Sequence, residues 1–357
     1  MNIFHCGQCQ RIVFFENTSC IGCGGTLAFL PDLREISTLE PVGAGLWRSV
    51  SPGTSGQLYR LCGNYLGHSV CNWAVLADDP YVLCVSCRLT RVIPDLDRPG
   101  HKAAWHKLEQ AKRRLVYGLM TLGCPLENRI DDPQRGLAFE FLADPDTPGS
   151  PPILTGHAGG VITLNVAEAD DVERERRRLL LREPYRTLLG HLRHESGHYY
   201  WERLIAGGPR LEAFRDQFGD ERLDYAEALH RHYEQGPPPD WQQRCVSAYA
   251  SSHPWEDWAE TWAHYLHLIE VLETAAAWGV TMHPRRPGEP ILPAPPPMPR
   301  VSEATPFDQL LDCWFPLTAL INDLNRGLGQ PDAYPFALSS RAVDKLRFVH
   351  ETLFAPP

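Results

Sequence analysis

Beyond residue 100, apolar positions recur every three or four residues in long blocks, the spacing of helices that bury one face. The stretch AAWHKLEQAKRRLVYGLMTLG (103–123) predicts one such helix, closed by Gly123. Two strand-like pieces follow, LAFEFL (137–142) and GVITLN (160–165), separated by a loop rich in Pro, Gly and Asp. DVERERRRLLLRE (171–183) places opposite charges three and four apart, which predicts a solvated helix rather than a basic patch. A helix opening at Pro184 should run to Gly207-Gly208. Further helices are expected near 209–218, 221–235, 254–279, 306–327 and 339–353, with a proline-rich loop or strap over 283–300.

The first 95 residues lack that helical rhythm and are organised by cysteine instead. Eight of the eleven cysteines lie there. Cys6 and Cys9 are followed by Cys20 and Cys23, and each C-x-x-C turn can aim two sulfurs at one ion. Two such turns complete the four-thiolate tetrahedron of a zinc ribbon. A looser set, Cys62, Cys71, Cys84 and Cys87, predicts a second closed zinc site; crossed pairing between the two sets stays open at this point. Neither C-x-x-C has the βαβ setting of a redox motif. Residues 94–101 read as a linker, so the expected organisation is a ribbon module over 1–95 and a second domain over 96–357.

Inside the predicted helix 184–207 lies His194-Glu195-Ser196-Gly197-His198. Histidines four apart share one helical face and can reach one metal ion, with Glu195 beside them to handle a proton. A catalytic zinc wants a third protein ligand and one open position. The helix His253-Pro254-Trp255-Glu256-Asp257-Trp258-Ala259-Glu260-Thr261-Trp262-Ala263-His264 puts Glu256, Glu260 and His264 on one face. Glu256 is the expected ligand and Glu260 the hydrogen-bond acceptor behind a bound histidine. Glu260 or His264 could replace Glu256 as ligand. Gly197, in mid-helix, makes sense where another backbone packs close.

Charge narrows the partners. The formal net charge is −10, and residues 1–95 hold six Lys/Arg against seven Asp/Glu. Two four-thiolate zinc sites take that module to roughly −5, the wrong sign for a phosphate-binding surface. No nucleic-acid partner is expected, and a protein partner for the ribbon is. No apolar run approaches membrane-spanning length, and MNIFHCGQCQ has no charged region leading into an apolar core. A cytoplasmic protein without a membrane partner is the expectation, its cysteines metal ligands or buried thiols.

The H-E-x-G-H helix followed by an E-x-x-A-E helix resembles the gluzincin group of metallopeptidases, in which the first Glu of the second motif binds zinc. More closely, FHCGQC, CNW, CRLTRVIPDL, GVITLN, EPYRTLLGHLRHESGHYYW and HPWEDWAETWAHYLH together resemble the bacterial putative zinc-binding metallopeptidase family with an amino-terminal zinc ribbon. The resemblance covers the chain to about residue 270. It implies an α+β fold: a mostly helical, zincin-like domain with a small sheet, preceded by the small β-rich ribbon. Ser196 and Arg193 depart from the wider gluzincin pattern, and the G-x-M-E-N run of gluzincin aminopeptidases is absent.

The implied activity is hydrolysis of a peptide or isopeptide bond in a peptide or protein substrate. It uses one catalytic and two structural zinc ions, a metal-activated water and Glu195 as general base. The oxyanion needs a donor; Tyr249 is the first candidate, His253 the second and Tyr200 the third. GVITLN is expected as an edge strand that pairs with extended substrate. Two other classes compete. One is a catalytically inactive zinc-binding scaffold. The other is a di-iron protein built on Glu195-Ser-Gly-His198, whose partner Glu260-Thr-Trp-Ala-His264 is one residue too long.

Overall fold

The computed structural model describes residues 1–51, 54, 56–147, 149–180, 186–292 and 305–354. The architecture is α+β. Around the first C-x-x-C, Phe4–His5 (β1) and Ile12–Val13 (β2) form an antiparallel ribbon. Next comes a five-stranded antiparallel meander in sequence order: Thr26–Leu30 (β3), Glu35–Gly43 (β4), Leu46–Ser49 (β5), Leu58–Leu61 (β6) and Ala74–Leu76 (β7). Ala28, Leu30, Leu39, Tyr59, Leu61 and Ala74 make its core. Two short helices, Gly63–His68 (α1) and Val85–Arg88 (α2), carry cysteines at or beside their starts.

A second sheet joins Thr90–Val92 (β8), Ala138–Leu142 (β9), Gly156–Ala158 (β10) and Val161–Asn165 (β11) in the order β10-β11-β9-β8. GVITLN is therefore not an edge strand. It pairs antiparallel with β10 and parallel with β9, so both its hydrogen-bonding edges are taken. The first long helix, His101–Thr121 (α3), buries more than an apolar stripe. Glu109 and Lys112 are fully enclosed, 2.9 Å apart, with Thr90 and Trp105 donating to Glu109.

By packing, the chain divides into two compact units. One spans Asn2–Thr121 and Pro125–Arg174; the other spans Glu175–Pro357 with Met1 and Leu122–Cys124. In the first, Phe15, Phe29, Trp73 and Tyr117 pack edge-on or tilted, with contacting ring centroids 4.5–6.2 Å apart. Tyr117 of α3 thus packs with rings that come from before residue 95. The helix Asp171–Leu180 (α4) bears the internal ion pairs Arg174–Asp171 and Arg178–Glu175 that its charge spacing implies.

The second unit is helical: Leu188–Leu204 (α5), Leu211–Phe218 (α6), Tyr225–Gln235 (α7), Trp241–Arg244 (α8), Pro254–Ala277 (α9), Phe307–Gly327 (α10) and Ser340–Phe354 (α11). α5 begins at the Thr187 cap, whose hydroxyl accepts the Gly190 N–H; the predicted start at Pro184 lies outside the described residues. His253 caps α9, with Pro254 in the first turn, where its missing N–H costs no bond. Met282, just before the proline-rich segment, pairs with Leu292 inside it, and 293–300 lie outside the described residues.

α11 is tied to α9 by a buried pair: Lys345 Nζ lies 2.5 Å from Asp257 Oδ2 and also donates to the Arg244 carbonyl. Burial, working against Lys345, pushes the Asp257 carboxyl up to about 6. Lys345→Met should leave that carboxylate alone in the core and cost about 3–5 kcal/mol. Adding Asp257→Leu should restore most of the loss, as read by urea unfolding of both variants.

Candidate metal centre

α5 and α9 cross where Gly197 faces Ala259. A Cβ built on Gly197 would sit 2.8 Å from the Ala259 Cα and 3.2 Å from its carbonyl oxygen, so only glycine permits this approach. Two indoles of α9 lock the crossing. Trp258 Nε1 donates to the Gly197 carbonyl (2.9 Å), and Trp262 Nε1 donates to Ser196 Oγ (3.0 Å). Ser196 in turn donates to the Arg193 carbonyl, so the hydroxyl at this unusual position is an acceptor for Trp262. Arg193 pairs with Glu270, farther along α9, at 2.7 Å.

The crossing brings the donor atoms of His194, His198 and Glu256 within 4.8 Å of one another, all in buried residues. His194 Nε2 lies 3.0 Å from Glu256 Oε2, and His198 Nε2 lies 3.5 Å from Glu256 Oε1. Ligands at about 2.1 Å from one tetrahedral zinc would stand about 3.4 Å apart, so the set fits that ion. Burial alone would raise the Glu256 carboxyl, but His198 and His194 hold it well below the usual range. Burial would likewise lower His194, but Glu256 and Glu260 outweigh it and hold the ring well above its ordinary value. The carboxylates thus stay ionised beside the two rings.

Glu260 stands behind this group. Its Oε1 is 2.7 Å from His194 Nδ1 and its Oε2 accepts from Ser247 Oγ at 2.6 Å. With Nδ1–H donating to Glu260, loss of the Nε2 proton would leave a lone pair there for a metal ion. His264 turns elsewhere, with Nδ1 2.6 Å from the Tyr334 hydroxyl, and lies outside the ligand group. Glu195 is buried on the ligand-bearing helix, and His191, one turn earlier, lies 3.4 Å from its Oε1. Burial raises the Glu195 carboxyl, but the His191 hydrogen bond and the neighbouring His194 and His198 lower it overall.

Of the candidate oxyanion donors, Tyr249 sits with its ring 5.9 Å from that of His194. Burial, with Glu256 next, raises its phenol well above its ordinary value, so it stays a donor. The other two are built into the frame. His253 engages Trp255 N–H and the Leu223 carbonyl through its two ring nitrogens as the α9 cap. Tyr200 is fully buried and stacked 4.8 Å from Trp262.

The cysteines gather locally, not crossed: Cys6, Cys9, Cys20 and Cys23 in one group, Cys62, Cys71, Cys84 and Cys87 in the other. Cys6–Cys23, Cys9–Cys20 and Cys71–Cys84 sulfurs are 3.6, 3.5 and 3.8 Å apart. A disulfide is about 2.05 Å long; four thiolates about 2.3 Å from one zinc stand about 3.8 Å apart. Backbone N–H groups of Cys84 and Trp73 point at Cys62 and Cys71, and Thr38 Oγ1 lies 3.2 Å from Cys6 Sγ.

Residues 101–352 match the model of the family described as "Putative zinc-binding metallo-peptidase", and residues 3–98 match a zinc-ribbon domain. The chain belongs to this zinc-binding metallopeptidase family. It is 41% identical over 351 residues, 98% of this chain and 94% of theirs, to uncharacterized proteins of Mycobacterium bovis and Mycobacterium tuberculosis. No solved structure matches it.

Two residues of this candidate site escaped the sequence reading. Tyr225 on α7 donates to Glu256 Oε1 at 2.6 Å, from 31 positions away with no spacing to announce it. His191 was legible, since it lies four residues before Glu195 on the same face. Gly197→Ala tests the crossing: overpacking against Ala259 should cost about 1–3 kcal/mol, despite the better helix propensity. Thermal unfolding should show the loss, and metal analysis of the folded variant should show the ion of this site depleted while the cysteine-bound ions remain.

Proposed function

We propose that the chain is a gluzincin-like zinc peptidase that hydrolyses a peptide or isopeptide bond in a peptide or protein substrate. His194, His198 and Glu256 hold one catalytic zinc; Cys6, Cys9, Cys20 and Cys23 hold one structural zinc, and Cys62, Cys71, Cys84 and Cys87 another. A ribbon module over 1–95 precedes the catalytic domain over 96–357 and offers a surface to a protein partner. Its thiolates suit the reducing cytoplasm, where we place the protein. Among the described residues no helix is long and apolar enough to cross a membrane.

The observation that carries this reading is the convergence of two imidazoles and a carboxylate on one point, with a second carboxylate, Glu195, on the same helix. Zinc held there would polarise the scissile carbonyl and acidify the attacking water. Glu195, oriented by His191, takes the proton from that water and delivers it to the leaving nitrogen. Glu260 and Ser247 keep His194 in one tautomer and orientation. Tyr249, protonated across the working pH range, donates to the developing oxyanion.

Glu195→Gln keeps the shape of the site and removes its base. It should lower cleavage of a peptide library by about 10²–10⁴-fold while metal content stays at the wild-type level. Undiminished hydrolysis by this variant would overturn the assignment.

A further inference from the structure

A cavity of about 260 Å³ opens beside the ligand helices, lined by Trp201, Glu221, Tyr225, His253 and Trp255. Trp201 follows His198 by three residues and Trp255 directly precedes Glu256, so the cavity adjoins both ligand-bearing segments. The Trp255 ring lies 4.1 Å from that of His198. It stands at 77° to Trp201 (6.3 Å) and at 76° to Tyr225 (5.9 Å), so aromatic walls meet nearly at right angles. The Tyr225 hydroxyl is engaged by Glu256, and both ring nitrogens of His253 have backbone partners.

Among the described residues the one carboxylate on this wall is Glu221. Arg215, which does not line the cavity, grips it through Nε (3.0 Å) and a terminal nitrogen (2.6 Å). Arg215 thereby fixes the carboxylate in place and keeps it ionised. Each carboxylate oxygen can accept a second hydrogen bond, so Glu221 retains capacity for a donor. Aromatic faces ending at a carboxylate suit a long side chain with an apolar stem and a cationic tip.

We propose that this cavity is the substrate side-chain pocket and that it takes lysine or arginine next to the scissile bond, the stem against Trp201 and Trp255 and the charged tip at Glu221. The inference rests on the peptidase reading above. An aliphatic side chain would desolvate the remaining lone pairs of Glu221 with only Arg215 as donor, and an acidic one would face its carboxylate oxygens. The net charge of −10 also draws basic peptides toward the molecule.

The test uses the zinc-loaded Glu195→Gln chain and three acetylated peptides identical except for one lysine, leucine or glutamate, titrated by tryptophan fluorescence. The lysine peptide should bind about tenfold tighter than the leucine peptide, with the glutamate peptide weakest. Adding Glu221→Gln should erase that preference, and Trp201→Leu should weaken lysine-peptide binding, each with unchanged circular dichroism and zinc content. Equal binding of the leucine and lysine peptides, or a lysine preference that survives Glu221→Gln, overturns the pocket assignment. Digestion of the same peptides by wild type separates the two claims. Selective binding of lysine without any cleavage supports the pocket and rejects the peptidase reading. Cleavage that treats leucine and lysine alike rejects the pocket and keeps the peptidase.

Discussion

The close approach of α5 and α9 at Gly197 and Ala259 is the constraint on which the metal centre depends. A side chain larger than hydrogen at 197 would push the helices apart, and the two imidazoles of α5 would lose the carboxylate of α9. The same contact sets Trp258 and Trp262 against the backbone and hydroxyl of α5, and Tyr200 stacks on Trp262 in the layer below. Packing and chemistry share these few residues. A helix-breaking glycine is tolerated because the ligands it brings together cannot be assembled from one helix.

That crossing also places unusual charge in the interior. Glu195, Glu256, Asp257 and Glu260 are all within reach of the two helices, and all but Glu260 are buried. Each has a partner that opposes the cost of burial: His191 for Glu195, the two imidazoles and Tyr225 for Glu256, Lys345 for Asp257, His194 and Ser247 for Glu260. Removing a partner from such a set leaves a desolvated charge, which costs more than the contact itself contributed. The site is thus held in place by compensated carboxylates, and a cation bound there would complete the compensation.

What the sequence revealed, and what it hid, follows from the range of the interactions. The C-x-x-C turns, the His194/His198 pair and the Glu256/Glu260 face are local spacings, and local spacing is read directly from helical and turn geometry. Helix bodies were legible for the same reason, with ends displaced by a few residues. Tyr225, Lys345 and the interior position of GVITLN were not. The first two act on residues dozens of positions away, and a short apolar strand looks alike at an edge and between two neighbours. Glu109 and Lys112 on α3 were not legible either. Three apart on a helix, they neutralise each other in the core, a burial that their spacing alone does not announce.

The most direct test of the account is anomalous X-ray diffraction at the zinc edge from crystals of the intact chain. It predicts three peaks: one within each cysteine group, and one about 2.0–2.2 Å from His194 Nε2, His198 Nε2 and a Glu256 oxygen. A third peak ligated instead by Glu260 or His264, or no metal where α5 crosses α9, would contradict it.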